Sequence, residues 1–306
     1  GTHTYDLLGR PSVQTVSAFG GTFVTQYSYD SASGRLDTLT YPSDSSATPL
    51  RVRHHYDRGQ LVRVSDASDA NTTFWRVDAL DTLGEVAAET LGNGVRVDSD
   101  RDVVTQRLRT RTAGPGGGNS FQNLRFTWDV AGNLSSRQEG NLGVHETFSY
   151  DSRDRLDFMS SSGGAYLDLG YDEIGNVTYK SDVGSYVYDA TKKHAVVAAG
   201  ANSYAYDANG VVVNASGTTI SWASFDLPTR IAHPSGNYST FDYGPDRARI
   251  RQVARSGSET IETIYAAGGL YERVTRNGAT SPRHHIVADG RRAPVLTRAA
   301  GPAPTT

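Results

Sequence analysis

Tyr171-Asp172-Glu173-Ile174-Gly175-Asn176-Val177 is one copy of a phrase that recurs along most of this 306-residue chain. Other copies are Tyr5-Asp6-Leu7-Leu8-Gly9-Arg10, Tyr29-Asp30 running to Gly34-Arg35-Leu36, Tyr56-Asp57-Arg58-Gly59-Gln60-Leu61, and Trp128-Asp129-Val130-Ala131-Gly132-Asn133-Leu134. Tyr150-Asp151 leads to Arg155-Leu156, and Tyr206-Asp207-Ala208-Asn209-Gly210-Val211 repeats the phrase again. The aspartates are spaced 24 residues from Asp6 to Asp30, 27 to Asp57, 22 from Asp129 to Asp151, 21 to Asp172, 17 to Asp189 and 18 to Asp207. A unit of roughly 20 residues holds two strands of about 6 residues and two turns. Weaker copies at Asp81-Thr82-Leu83-Gly84 and at Asp102, with Gln106 where glycine is expected, fill the gap between Asp57 and Asp129. Such a period is the mark of a repeat protein.

The unit has a local chemistry. Asp at the first position and Gly at the fourth are what a type I turn prefers, because the carboxylate accepts turn amides and Gly adopts positive φ without steric cost. A type I turn closed by a left-handed Gly makes a hairpin with a bulge. The aromatic before the turn and the Leu or Val after it then lie on paired strands, with the intervening Arg, Asn or Gln expected on the other face. Each phrase is read as one hairpin.

Composition agrees with an all-β, antiparallel fold. Tyr accounts for 17 of the aromatics, against 9 Phe and 3 Trp, and suits a sheet with one solvated face because its ring packs while its hydroxyl stays wet. Thr22 to Tyr29 and Tyr238 to Tyr243 alternate with a period of two. No segment holds a helical period, so helix content near zero is expected. Propeller blades also repeat strands and turns, but they need about 40–50 residues each. The repeat predicts one segment over residues 1–298 and a flexible tail over 299–306. Gly114 to Ser120 reads as a long hairpin loop within it. The chain opens in mid-repeat at Thr4-Tyr5-Asp6 and is expected to belong to a longer protein.

With 30 basic and 33 acidic residues, the sequence has no electrostatic footprint for nucleic acid. It has no cysteine for disulfides or thiolate metal sites, and no apolar run of membrane-spanning length. His54-His55 and His284-His285 are metal-ligand residue types, but neighbours on a strand point to opposite faces and cannot share one ion. Asp98-Ser99-Asp100-Arg101-Asp102 begins like a calcium loop and lacks its glycine and closing glutamate, so it reads as a solvated acidic turn. Carboxylate pairs for glycoside hydrolysis are available, yet the repeat already accounts for the aspartates as turn formers. No Gly-x-Ser-x-Gly elbow occurs. Trp75, Trp128 and Trp222 are assigned to sheet packing rather than to sugar stacking. No catalytic, cofactor or metal residue is therefore nominated. The residues that carry the reading are those of the repeat.

The Tyr-Asp-x-x-Gly-Arg/Asn-Leu unit resembles the YD repeat of bacterial RHS proteins, of the C component of Tc insecticidal toxins and of the animal teneurins. Connecting phrases resemble that family too: Leu91-Gly92-Asn93-Gly94-Val95, Tyr188-Asp189 running to His194-Ala195-Val196, Tyr243-Gly244-Pro245-Asp246-Arg247, and Ile264-Tyr265 running to Gly268-Gly269-Leu270-Tyr271-Glu272. The resemblance covers residues 4–297. It implies a container: a continuous antiparallel sheet coiled into a spiral shell that keeps a C-terminal toxic domain apart from the producing cell. Hairpins that cannot bury a face alone stack on their neighbours, which is the physics such a strip needs.

The resemblance further implies a non-enzymatic wall of a secreted or cell-surface bacterial polymorphic toxin. Its partners would be the C-terminal toxin cargo of the same protein, with other shell segments or a delivery apparatus, and it would need no cofactor. The alternative is an adhesion or carbohydrate-binding scaffold of the teneurin kind; the phrases from Tyr243 to Glu272 favour the toxin family. Two departures bear on this. The bacterial repeat region ends in a core with an Asp-Pro-x-Gly-Leu autoprotease sequence, and no Asp-Pro occurs here. Arg247 stands where the family has Gly, and Arg283 to Gly290 resembles the strand and turn ahead of that core. The chain is expected to stop before the protease.

Overall fold

The computed structural model describes residues 1–43, 48–288 and the backbone of 291–297. The expected tail over 299–306 and the Asp289-Gly290 turn lie outside the described residues. Strands and turns make up the described chain, apart from a 3-10 turn at Ala267–Gly269. Alternation sets the faces: along Val144–Tyr150, residues are half-buried and exposed in turn, as a period-two pattern dictates. The result is an all-β fold of antiparallel hairpin repeats.

The chain divides into two compact units. One comprises Gly1–Asp78, Glu89–Gly94 and Pro228–Thr306; the other comprises Ala79–Ala88 and Val95–Leu227. In the first, consecutive strands pair antiparallel from Thr2–Tyr5 through Pro11–Ala18, Gly21–Tyr29, Leu36–Thr40, Arg51–Asp57 and Gln60–Asp66. A second run pairs Pro228–Ala232 with Tyr238–Tyr243 and continues through Arg249–Ser256, Glu259–Ala266, Tyr271–Arg276 and Ala279–Ala288. These early and late strands share a core: Leu39, Tyr41, Val52, Val64, Phe74 and Trp75 pack with Ile286 and Ala288, while Phe23 packs with Ile264 and Tyr271. Tyr41 donates its hydroxyl to the His285 carbonyl at 3.0 Å. Trp75 is buried, with its indole N–H on Glu89 at 2.6 Å.

The second unit pairs each strand with the next from Val95–Arg101 to Thr218–Trp222. Its buried apolar side chains are small, among them Val97, Ala113 and Ala199. Phe148, Met159 and Leu167 stand opposite one another on successive strands and are half-buried. Cross-strand apolar pairs of this kind contribute about 0.2–1 kcal/mol each, so stability there is spread along the strip. Leu108–Pro115 and Gln122–Trp128 are antiparallel neighbours, which makes the glycine-rich stretch between them a hairpin loop.

Candidate functional site

The repeat turn is the site around which the molecule is organised. At Asp172 the backbone N–H donates to the Asn176 carbonyl at 2.9 Å and the Gly175 N–H returns to the Asp172 carbonyl at 3.2 Å. The same pair of bonds closes the turns at Asp6, Asp81, Asp129, Asp151 and Asp207. The fourth position is left-handed throughout, with φ of 77° at Gly9, 102° at Gly132, 93° at Gly175 and 89° at Gly210. Asp154 takes that position with φ of 59°. Strand register slips by one residue just before the aromatic, a bulge that sets Tyr5 against Pro11, Trp128 against Leu134, Tyr150 against Leu156, Tyr171 against Val177 and Tyr206 against Val212.

Spacing selects the turn. Where the aliphatic residue comes six positions after the aromatic, as from Tyr171 to Val177, the turn above forms. Tyr29 to Leu36 is one residue longer; Asp30 N–H reaches the Arg35 carbonyl, and Gly34, with φ of 71°, donates to the Asp30 carbonyl. Tyr56 to Leu61 is one residue shorter, and here the expected type I turn is corrected. Asp57 pairs directly with Gln60, and Arg58 and Gly59 between them are both left-handed, with φ of 47° and 92°, the two-residue type I′ form. Asp102 follows the longer pattern, with Gln106 held at φ 59° in the glycine position.

At Asp6, Asp30, Asp129, Asp151, Asp172 and Asp207 the aspartate side chain fastens its own turn. Asp172 accepts from the backbone N–H of Ile174 and Asn176 at 3.1 and 2.8 Å and from the Asn176 side chain at 2.9 Å. Asp6 and Asp151 accept the arginine at the same place: Arg10 Nε at 2.7 Å and Arg155 Nε at 2.7 Å. The Arg155 side chain, joined by the Arg155 and Arg153 N–H groups, holds the Asp151 carboxyl down at about 2. The Lys192 N–H, with the Thr191 hydroxyl and N–H, brings Asp189 to about 2.

The expectation that Arg or Asn after the glycine faces away is also corrected, because these side chains run sideways into the next repeat. Arg10 donates to the Gly34 carbonyl at 2.9 Å and lies 4.2 Å from the Tyr29 ring centroid. Arg155 lies 4.4 Å from the Tyr171 ring and Arg35 5.5 Å from Tyr56. Asn133 reaches Asp154 at 2.9 Å, and Asn176 reaches the Lys193 carbonyl at 2.9 Å. Arg107 crosses toward Gly132, where a Cβ would collide with it. The bulge turns these side chains out of the strand alternation that the expectation assumed.

A second ladder runs backwards. Tyr29 donates its hydroxyl to the Pro11 carbonyl at 2.9 Å, Tyr150 to Leu134 at 2.9 Å, Tyr171 to Leu156 at 2.8 Å, Tyr188 to Val177 at 2.9 Å and Tyr206 to Val196 at 2.8 Å. Trp128 performs the same task with its indole N–H, on the Leu108 carbonyl at 2.9 Å. The acceptor is the residue just after the preceding turn. Sequence reading missed the copy at Trp222-Ala223, whose indole donates to Val212 at 2.8 Å and whose turn places Asp226 at φ 60°. The Gly244 turn, with Arg247 at φ 62°, adds Tyr243 donating to Pro228 at 2.8 Å. The signal was present in the aromatic and in the six-residue spacing; the absent aspartate hid it.

Other candidates fall into the packing. His55 bonds the Ser65 hydroxyl at 2.8 Å; burial chiefly lowers the pKa of His54. His284 packs against the rings of Tyr41 and Tyr271, and His285 lies 3.0 Å from Glu272, so both faces of that strand are buried. Among the described residues, no three His, Asp or Glu converge as a metal site.

No protein-family model matches the sequence, and no curated protein does. Solved structures do. The crystal structure of TcdB2-TccC3-Cdc42 is 16% identical over 99% of this chain and 18% of that chain, with a TM-score of 0.73. The crystal structure of TcdB2-TccC3 is 16% identical over 99% and 18%, with a TM-score of 0.71. The Photorhabdus luminescens Tc holotoxin pore is 16% identical over 93% and 16%, with a TM-score of 0.67. The chain thus spans less than a fifth of the length of these structures. It has the fold of the RHS/YD repeat.

Proposed function

We propose that this chain is a non-enzymatic wall segment of a YD-repeat shell that encloses a C-terminal toxin domain of a secreted bacterial polymorphic toxin. The observation that carries the reading is the double ladder, in which turns are tied forward by Arg10, Asn133, Arg155 and Asn176 and backward by Tyr29, Tyr150, Tyr171 and Tyr206. A ladder built this way makes a continuous surface from hairpins that have little core of their own, which is what a container requires. Repeat aspartates such as Asp151, Asp172 and Asp189 are engaged by their own turn amides, and Asp151 and Asp189 are held ionised by these together with the Arg155 and Thr191 side chains. A general acid needs the opposite environment. Other shell segments and the cargo are its partners in this reading, and the sequence from residue 1 to 298 acts as one stretch of wall.

The test is to incubate the purified chain for days, follow its intact mass, and screen it against peptide, ester and glycoside substrates. A wall gives constant mass and no turnover. A specific self-cleavage product, or turnover abolished by a single Asp→Asn change, would show an enzyme instead.

A further inference from the structure

A cleft of about 800 Å³ lies within the first unit, where strands from its beginning meet strands from its end. Small-molecule sites have volumes of roughly 300–1,000 Å³. The polar wall is made of hydroxyls and one amide, from Thr22, Gln26, Thr40, Ser43, Thr275 and Thr280, with the Phe23 ring beside them. Among the described residues lining it, Arg273 alone is charged.

The surroundings of Arg273 set it apart from arginines on its own and nearby strands. Arg251 meets Glu262 at 2.7 Å, Arg276 meets Glu259 at 3.3 Å and Arg283 meets Glu272 at 3.8 Å. Arg273 instead donates Nη2 to the Phe19 carbonyl at 2.8 Å and lies 5.4 Å from the Phe23 ring centroid. Neither contact brings a negative charge, so the guanidinium is fixed in place with its charge still open to an anion. Gly21 makes the room: a Cβ there would stand 2.7 Å from Arg273 Nη1. The Phe19-Gly20 turn, with φ of 49° and 71°, supplies the anchoring carbonyl.

We propose that this cleft binds an acidic saccharide, with a sugar carboxylate or sulfate on Arg273 and ring hydroxyls on the threonines. The side-chain hydroxyls of Thr275 and Thr280, 3.0 Å apart, can each donate and accept, as sugar hydroxyls do. The inference is independent of the wall reading and holds whether or not the shell encloses a toxin.

The experiment is calorimetric titration of the whole chain with a glucuronate-containing tetrasaccharide, its sulfated form, its carboxyl-reduced neutral counterpart, and a hexaglutamate peptide. The acidic sugars should bind about tenfold or more tighter than the neutral one, with added salt closing the gap. Arg273→Gln should remove that preference, Arg273→Lys should keep part of it, and Thr275→Val should weaken acidic and neutral sugars alike. Because Arg273→Gln also loses the Phe19 contact, Gly21→Ala serves as a second variant that displaces the guanidinium while leaving it present. Equal affinity for neutral and acidic sugars, binding of the peptide alone, no binding by a folded chain, or an unchanged preference in both Arg273→Gln and Gly21→Ala would overturn the proposal.

Discussion

Gly175 shows what one residue of the repeat is for. Its φ is 93°, and a Cβ placed on it would meet nothing within 4 Å, so Gly175→Val isolates backbone strain from crowding. The expected loss is about 1–2 kcal/mol in urea denaturation, because a β-branched residue is forced into the left-handed region; an unchanged midpoint would mean the turn tolerates it. The aspartates add a pH dependence. Asp151 and Asp189 are depressed from 3.8 to about 2, so the stability they contribute is complete above the unfolded value and is lost as pH falls toward the folded one. Denaturation midpoints should therefore fall between about pH 4 and pH 2, and Asp151→Asn should flatten its share of that slope; a stability profile flat through that window contradicts the capping role. Asp and Gly were readable in the sequence because turn chemistry is local. The destination of the Tyr171 hydroxyl was not, since the Leu156 carbonyl becomes its neighbour only once register is fixed.

At the scale of the hairpin, the distance from aromatic to aliphatic decides the turn, and one residue fewer converts the Asp57 copy to the two-residue form. That rule was latent in the sequence, but the copy at Trp222-Ala223 lacks the aspartate that marks the others, although its turn closes with Ala223 N–H on Leu227 at 2.9 Å. The forward link makes neighbouring hairpins interdependent. Arg155 binds Asp151 at 2.6 Å and lies over Tyr171, so Arg155→Met should raise amide exchange in the Asp151 and Asp172 hairpins together, while the distant hairpin of Val95–Arg101 and Leu108–Pro115 keeps its protection. Exchange rising in the Asp151 hairpin alone would show that the repeats are merely adjacent.

Over the whole molecule the two units are stabilised differently. The second is a succession of neighbour contacts, of the kind a local repeat can encode. The first also joins residues far apart in the chain, Tyr41 to His285 and Arg273 to Phe19, and no local pattern encodes those meetings. His284 and His285 illustrate the limit: strand alternation places them on opposite faces, yet both are buried because early strands cover one side of the late ones. On the proposed reading, a wall made of linked turns has one decisive consequence, protection of what it encloses. The direct measurement is limited proteolysis of the longer protein that the proposed reading requires, with mass spectrometry following the C-terminal cargo segment that this reading places after the repeats. The wall account predicts that this segment resists cleavage in the intact protein and becomes sensitive when the ladder is opened by combined changes at Tyr150, Tyr171 and Tyr206. Cleavage of that segment at the same rate in the intact and the opened protein would contradict it.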